Sequence, residues 1–366
     1  MVVPVNFEIH PTVLAGTKRI GRFRRKNKSK NRQDEKSAHR HSRFAQQNST
    51  YITFVVMIRS TSSLTRHVMD FLSIAARQEK LGFETPLRLT YFTMNPNQMQ
   101  LTGKVFTYRY MITPGVCWNG HSVSLSTYLA MIDSLTTFAI VGAHESTLSS
   151  RPGVSVHLQA ELNPAVTPPT KEVDIVSTIT KLGRTMAFIR AEVRTVDTGD
   201  LVCFASHIKY LPTGSWFMDF LFSRWGWPFL KMNVKRLPEA FAPEVISIQD
   251  TITPYLVHRG LGQATLSIQR EHTNPFGSLH GGCQAILMEM VSQTLAKEEL
   301  KSDNITLESL QVDYASSGKG SVDISSQVLA RANGSVVMRV LVIRSDGTPI
   351  SQGTLRWTTP QGQSKL

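Results

Sequence analysis

Polar and apolar positions alternate along most of the chain beyond residue 100, and two long apolar runs interrupt that alternation. The alternating stretches read as half-buried strands. One set is GKVFTYRYMI (103–112), VSVHLQAEL (154–162), EVDIVSTITKL (172–182), TMAFIRAEVR (185–194) and LVCFASHIKYL (201–211). A second set is GQATLSIQR (262–270), ITLESLQVDYA (305–315), SVDISSQVLA (321–330), SVVMRVLVIR (335–344) and PISQGTLRWTT (349–359). The interruptions, LSTYLAMIDSLTTFAIV (125–141) and GCQAILMEMVSQTLA (282–296), are too long for strands and predict helices that are apolar nearly all round. Turn-forming residues fall at matching places in the two sets, KLGR at 181–184 against ANG at 332–334, and DTGD at 197–200 against SDGT at 345–348.

The order of entering strand, helix, then further strands therefore occurs twice, with a period of about 155 residues, which suits two fused domains rather than a solenoid. The expected class is α+β, each half an antiparallel sheet wrapped around one central helix. The expected division is a leader over 1–80, a first domain over 81–211, an aromatic-rich linker over 212–247, a second domain over 248–360 and a tail over 361–366. The linker holds Trp216, Trp225 and Trp227 of the five tryptophans, and is expected to pack across the two halves.

A formal charge of +13 suggests a nucleic-acid or membrane partner until its location is considered. Residues 1–50 carry twelve Lys or Arg against Glu8, Asp34 and Glu35, so nine of the thirteen units sit in the leader. The rest of the chain is ordinary for a soluble domain, the leader is expected to be mostly disordered, and nucleic acid is not the expected partner. Cys117, Cys203 and Cys283 form no CxxC pair, which points to reduced cysteines in a packing role. No stretch approaches the ~20 consecutive apolar residues that span a bilayer. The segment from Met57, rich in Arg and Ser, has the profile of a mitochondrial transit peptide and leaves open whether translation starts at Met1 or Met57. The final Ser364, Lys365 and Leu366 form the address read by the peroxisomal import receptor, so a peroxisome or related microbody such as the glycosome is the expected location, with the mitochondrion as the alternative.

The least ordinary stretch is NPFGSLHGGCQAILMEM, 274–290. Asn274 precedes His280 by six residues, Gly281 and Gly282 follow the histidine, and Glu289 lies nine residues after it on an apolar helix. A carboxylate in such surroundings is costly unless it is paired or used. Together these residues resemble the acyl-CoA thioesterases of the hot-dog superfamily, the PaaI-like branch especially. The resemblance covers roughly 80–360 as a tandem pair, though its specific motif is confined to 274–289.

What the resemblance implies is hydrolysis of the thioester of a fatty or related acyl-CoA. Glycines opening a helix offer unpaired N–H donors at the positive end of the helix dipole, suited to the oxyanion that forms on the thioester carbonyl. Gly281 and Gly282 are assigned to that oxyanion site, Gly282 in particular. Glu289 is expected to have a raised pKa and to act as base or nucleophile. Asn274 would orient the water or the thioester, and His280 would fix the loop or polarise the carbonyl. Gln293, one turn after Glu289, stands where related enzymes often have Ser or Thr.

In the first half, Asp133 occupies the helix position of Glu289, but Ser124 replaces the histidine and no glycine pair follows. This half is expected to be the degenerate partner, each half lining the other's pocket, with Asp133 kept among the candidate catalytic residues and the number of working sites, one or two, left open. No metal cluster, phosphate loop or nicotinamide fingerprint is present, so no cofactor is expected. The protomers are expected to form a homo-oligomer. Two rival readings are an acyl-CoA hydratase or dehydratase, and a non-catalytic scaffold subunit of a mitochondrial ribonucleoprotein.

Overall fold

The computed structural model describes residues 82–118, 120, 122–143, 153–212 and 246–359, together with Val68, Met69 and Leu72. Most of the leader, Met57 included, most of the aromatic linker and the terminal Ser364, Lys365 and Leu366 lie outside the described residues. The chain divides into two compact units, Met1–Phe54 and Val55–Leu366, and every described residue belongs to the second.

Twelve strands form one sheet among the described residues. The first six are β1 (Met99–Thr102), β2 (Val105–Met111), β3 (Val154–Leu162), β4 (Glu172–Leu182), β5 (Met186–Thr195) and β6 (Leu201–Tyr210). The second six are β7 (Leu256–Gly260), β8 (Gln263–Ser267), β9 (Thr306–Tyr314), β10 (Ser321–Ala332), β11 (Ser335–Arg344) and β12 (Pro349–Thr358). Their spatial order is β1-β2-β4-β5-β6-β3-β9-β12-β11-β10-β8-β7, every pair antiparallel. The second half of that order repeats the first in mirror sequence about the β3–β9 seam, where Gln159 lies opposite Gln311. The protein is a double hot-dog, its two halves joined in one sheet.

Two long helices fill the wrap, α1 (Leu125–Ala143) and α3 (Gly281–Leu300); a five-residue helix, α2 (Ile248–Ile252), enters the second half. By length and composition α1 could cross a membrane, but 94% of its apolar window is buried inside the protein. Sheet surrounds it, which is why its sequence lacks a polar face. The helices pack on each other as closely as their small residues allow. A Cβ on Gly282 would stand 2.4 Å from the Ala130 Cα, so glycine is what permits the crossing.

The predicted strands and helices match the observed ones to within a few residues. The two edge strands β1 and β7 went unforeseen, because both are short: β1 runs for four residues and β7 for five. The segment 82–90, placed at the start of the first domain, docks on the second half. Phe83 N donates to Thr273 O at 2.9 Å, and any Cβ on Gly82 would collide with that same carbonyl at 1.7 Å.

Candidate active site

A cavity of about 520 Å³ opens between the halves. Its walls include Asp133 from α1, Ser155 from β3, Lys209 from β6, Asn274, His280 and Gly281 from the start of α3, Tyr314 from β9, and Glu84 from the docked segment.

The start of α3 is built for an acidic visitor. His280 is the N-cap, and its Nδ1 accepts from Gly282 N at 2.9 Å. The same N–H is shared with Asp133 Oδ2 at 3.1 Å, a carboxylate oxygen arriving from the other helix. Gly281 makes room for it, since a Cβ there would lie 2.7 Å from that oxygen. Tyr314 donates its hydroxyl to Gly281 O at 3.1 Å, fixing the turn from the sheet side. The His280 Nε2 faces Glu84 Oε1 at 3.4 Å; burial would lower the imidazole pKa, but the Glu84 carboxylate outweighs it and draws the value up.

Asp133 is held by three donors. Oδ2 takes Gly282 N, while Oδ1 takes Ser155 Oγ at 2.5 Å and Lys209 Nζ at 2.9 Å, with His207 Nε2 a further 3.6 Å away. Burial alone would raise this carboxyl's pKa; Lys209, His280, His207 and the Ser155 hydrogen bond reverse that and hold it far below the ordinary carboxylate range. His207 is driven the other way, well below 6.5, by burial and by Lys209, and is neutral. Its Nδ1 lies 2.8 Å from Thr136 Oγ1, whose own proton goes to Ile132 O at 2.7 Å. Its Nε2 faces Ser155 Oγ at 3.1 Å, so the neutral ring bridges two hydroxyls.

Asn274 lines the same cavity, with its Oδ1 accepting from Phe276 N and Ser278 N. That oxygen holds the loop in shape, so only the amide's N–H₂ end can act on a ligand.

Of the residues predicted from sequence, Asn274, His280, Gly281, Gly282 and Asp133 come together. Glu289 does not join them, and this corrects the expected pairing. Eight residues of α-helix separate Gly281 from Glu289 by about 12 Å along the axis, so a side chain cannot reach back to its own helix start. Instead each acid serves the opposite helix: Glu289 Oε2 accepts from Ser126 N at 3.0 Å, beside the hydroxyl cluster of Ser124, Ser126 and Thr127 at the start of α1. Trp118 closes that cluster by donating to Ser124 Oγ at 2.9 Å. Glu289 has the raised pKa expected of it, through burial, which the Ser126 and Ser124 hydrogen bonds oppose. It does not line the large cavity. The open site takes its acid from the first half and its glycines from the second, while the start of α1, which lacks a glycine pair, faces Glu289.

Sequence reasoning passed over Glu84, Ser155, His207 and Lys209. The last two carried a signal: in β6 the inward positions are Cys203, Ala205, His207 and Lys209, so two polar residues sit on the apolar phase of the alternation. Among the described residues no group of three or more His, Cys, Asp or Glu could hold a metal ion.

Residues 231–359 match the family model for a domain of unknown function, DUF4442. No curated protein matches the chain. The fold is similar to that of a putative oleoyl thioesterase from Lactobacillus plantarum, 15% identical, with 70% of this chain and 96% of that one covered and a TM-score of 0.46. It is similar as well to an acyl-ACP thioesterase from Bacteroides thetaiotaomicron (13% identity, 69% and 98% covered, TM-score 0.44). A 12:0-ACP thioesterase from Umbellularia californica gives 13% identity, 71% and 99% covered and a TM-score of 0.46.

Proposed function

We propose that the protein hydrolyses acyl thioesters, acyl-CoA being the substrate class, at the cavity shared by Asp133 and the start of α3. The observation that carries this reading is the 3.1 Å contact between Asp133 Oδ2 and the buried Gly282 N, at a helix start where Asp133, His280 and Gly281 line an open cavity. A carboxylate oxygen already lies where the charge of a tetrahedral intermediate would be stabilised. A thioester carbonyl entering the cavity takes over the Gly282 N–H, with the dipole of a twenty-residue helix behind it. Asp133 then faces the carbonyl carbon and supplies the attack, directly or through a water it deprotonates. The C–S bond breaks with its electron pair on sulfur; direct attack leaves an Asp133 acyl anhydride that water then cleaves, and by either route one water oxygen ends on the acyl carbon and one water proton on the departing sulfur. Ser155 anchors the other carboxylate oxygen, Oδ1, and His280 fixes the N–H that meets the oxyanion.

The test is a panel of acyl-CoA substrates of differing chain length, offered to the parent protein, Asp133→Asn and Glu289→Gln. The expected result is thioesterase activity in the parent and in Glu289→Gln, and loss in Asp133→Asn. Equal rates for the parent and Asp133→Asn would end this reading.

A further inference from the structure

The strand residues behind Asp133 go beyond what hydrolysis requires. Lys209 is 2% exposed, and its ammonium lies 2.9 Å from Asp133 Oδ1 and 3.3 Å from Ser155 Oγ. Its stem packs against residue 153, where a Cβ in place of the glycine would stand 2.8 Å from the Lys209 Cβ, so this approach too depends on glycine. A buried ammonium is tolerated only with a well-placed counter-charge. The carboxylate in contact with it is Asp133. The strand register makes the choice of lysine conspicuous: Lys209 pairs with Ser155, and at the equivalent place in the second half Trp357 pairs with Leu307. The fold accepts an apolar side chain at that point, and the first half carries a cation instead.

We infer that Lys209 is a positioning residue that keeps Asp133 ionised and turned toward the start of α3, so that the attacking group stays in its working charge state when the medium acidifies. The inference rests on the proposed hydrolysis at this site. The charged and titratable groups around Asp133 are few. Lys209 and His207 face it from β6, His280 from the cap of α3, and Tyr314 from β9, with Glu84 behind His280. Burial and Lys209 keep His207 neutral, and Lys209, at 2.9 Å, lies closer to the acid than His280 at 3.6 Å. The direction of the Asp133 shift, far below its ordinary range, agrees with that arrangement.

The experiment has two arms on the full chain. In the first, kcat/KM for an acyl-CoA is followed against pH in the parent, Lys209→Met and Lys209→Arg. Loss of the ammonium should move the acid limb upward by about 1–3 pH units, the range an adjacent opposite charge commands, whereas the arginine variant keeps its limb near that of the parent. A lysine with only a packing role would lower the rate at every pH and leave the limb in place, and that result overturns the inference. The second arm needs no activity. Reductive methylation with formaldehyde and cyanoborohydride, read by mass spectrometry, is applied to the parent and Asp133→Asn. Without the ion pair that holds it at 2.9 Å, the amine is freed to react, so Lys209 should label several-fold faster in the variant. Equal labelling overturns the pair even if Lys209→Met fails to fold. If the parent hydrolyses no thioester while the labelling difference appears, the proposed function fails and the charge pair stands.

Discussion

Asp133 and Glu289 are the same residue of two copies of one design, and they have been put to different uses. Each sits 156 positions from the other in sequence, nearly midway along a core helix, and each reaches the N-terminus of the opposite helix. They are equally buried, at 5% and 4% exposure, so burial cannot distinguish them. Their surroundings do. Behind Asp133 the strand positions carry Ser155, His207 and Lys209; by register the corresponding positions in the second half are Leu307, Leu355 and Trp357, all buried. In front of Asp133 stand a histidine and two glycines; in front of Glu289 stand Ser124, Leu125 and Ser126. One acid is charge-paired and opens on a cavity. The other is raised in pKa and closed in by hydroxyls and apolar side chains. The acid occurs twice, and the lining decides which copy opens on a cavity.

The strongest way to break that comparison is to neutralise each acid in turn. Asp133→Asn should reduce kcat/KM by about a thousandfold or more, because it removes the attacking group and leaves Lys209 without its counter-charge. Glu289→Gln should leave kcat/KM within about twofold of the parent, as expected for a group that supplies no part of the transition state. A large loss in Glu289→Gln, measured with the same acyl-CoA, would return the function to the second acid.

The apolar lining can be challenged next. Trp357 is almost fully buried and donates to Ser292 Oγ at 3.2 Å. Trp357→Ala should destabilise the fold by about 3–5 kcal/mol in chemical denaturation, the range for a large core aromatic, and still give no second active site. A variant that gained activity would mean that only bulk closes the second site.

Much of this was legible in the chain. Alternation located ten of the twelve strands, and two all-round apolar runs located α1 and α3, because a helix enclosed by sheet has no polar face to blur the pattern. The cluster of Asn274, His280, Gly281 and Gly282 was legible too, since it is contiguous. What could not be read was which acid meets the glycines. Glu289 shares their helix and Asp133 does not, so nearness in sequence favours the wrong partner. Only the antiparallel β3–β9 seam, which sets each helix start beside the middle of the other helix, reverses the choice. Glu84 was hidden for a similar reason, as it reaches His280 through the docking of Gly82 and Phe83 on Thr273.

The helix start offers a third and intermediate test. Gly282→Ala places a Cβ 2.4 Å from the Ala130 Cα and disturbs the one N–H shared by His280 and Asp133. The helices must part, at a cost of about 1–3 kcal/mol, and loss of the donor geometry should lower kcat by about a hundredfold. Ser126→Ala, at the equivalent place on α1, keeps its backbone N–H to Glu289 and should leave kcat unchanged.

The smallest expected effect concerns stability alone. The folded protein raises the pKa of Glu289 through burial, so folding favours its neutral form. The sign follows from linkage: a carboxyl whose folded pKa exceeds its unfolded value contributes stability that is fully present below the unfolded pKa and is lost as pH rises through the folded one. Glutamine in its place stays neutral at every pH and can accept the same Ser126 N–H. Glu289→Gln should therefore match the parent in Tm at acid pH and exceed it modestly at neutral and alkaline pH, with the gap opening above the ordinary glutamate range. Asp133→Asn should be less stable than the parent at neutral pH, because its folded pKa is depressed and the ionised pair is what the fold retains. Thermal melts of the two variants across pH would thus diverge in opposite directions from the same parent. If both acids behaved alike, the two copies would not have separated into a working site and a structural one.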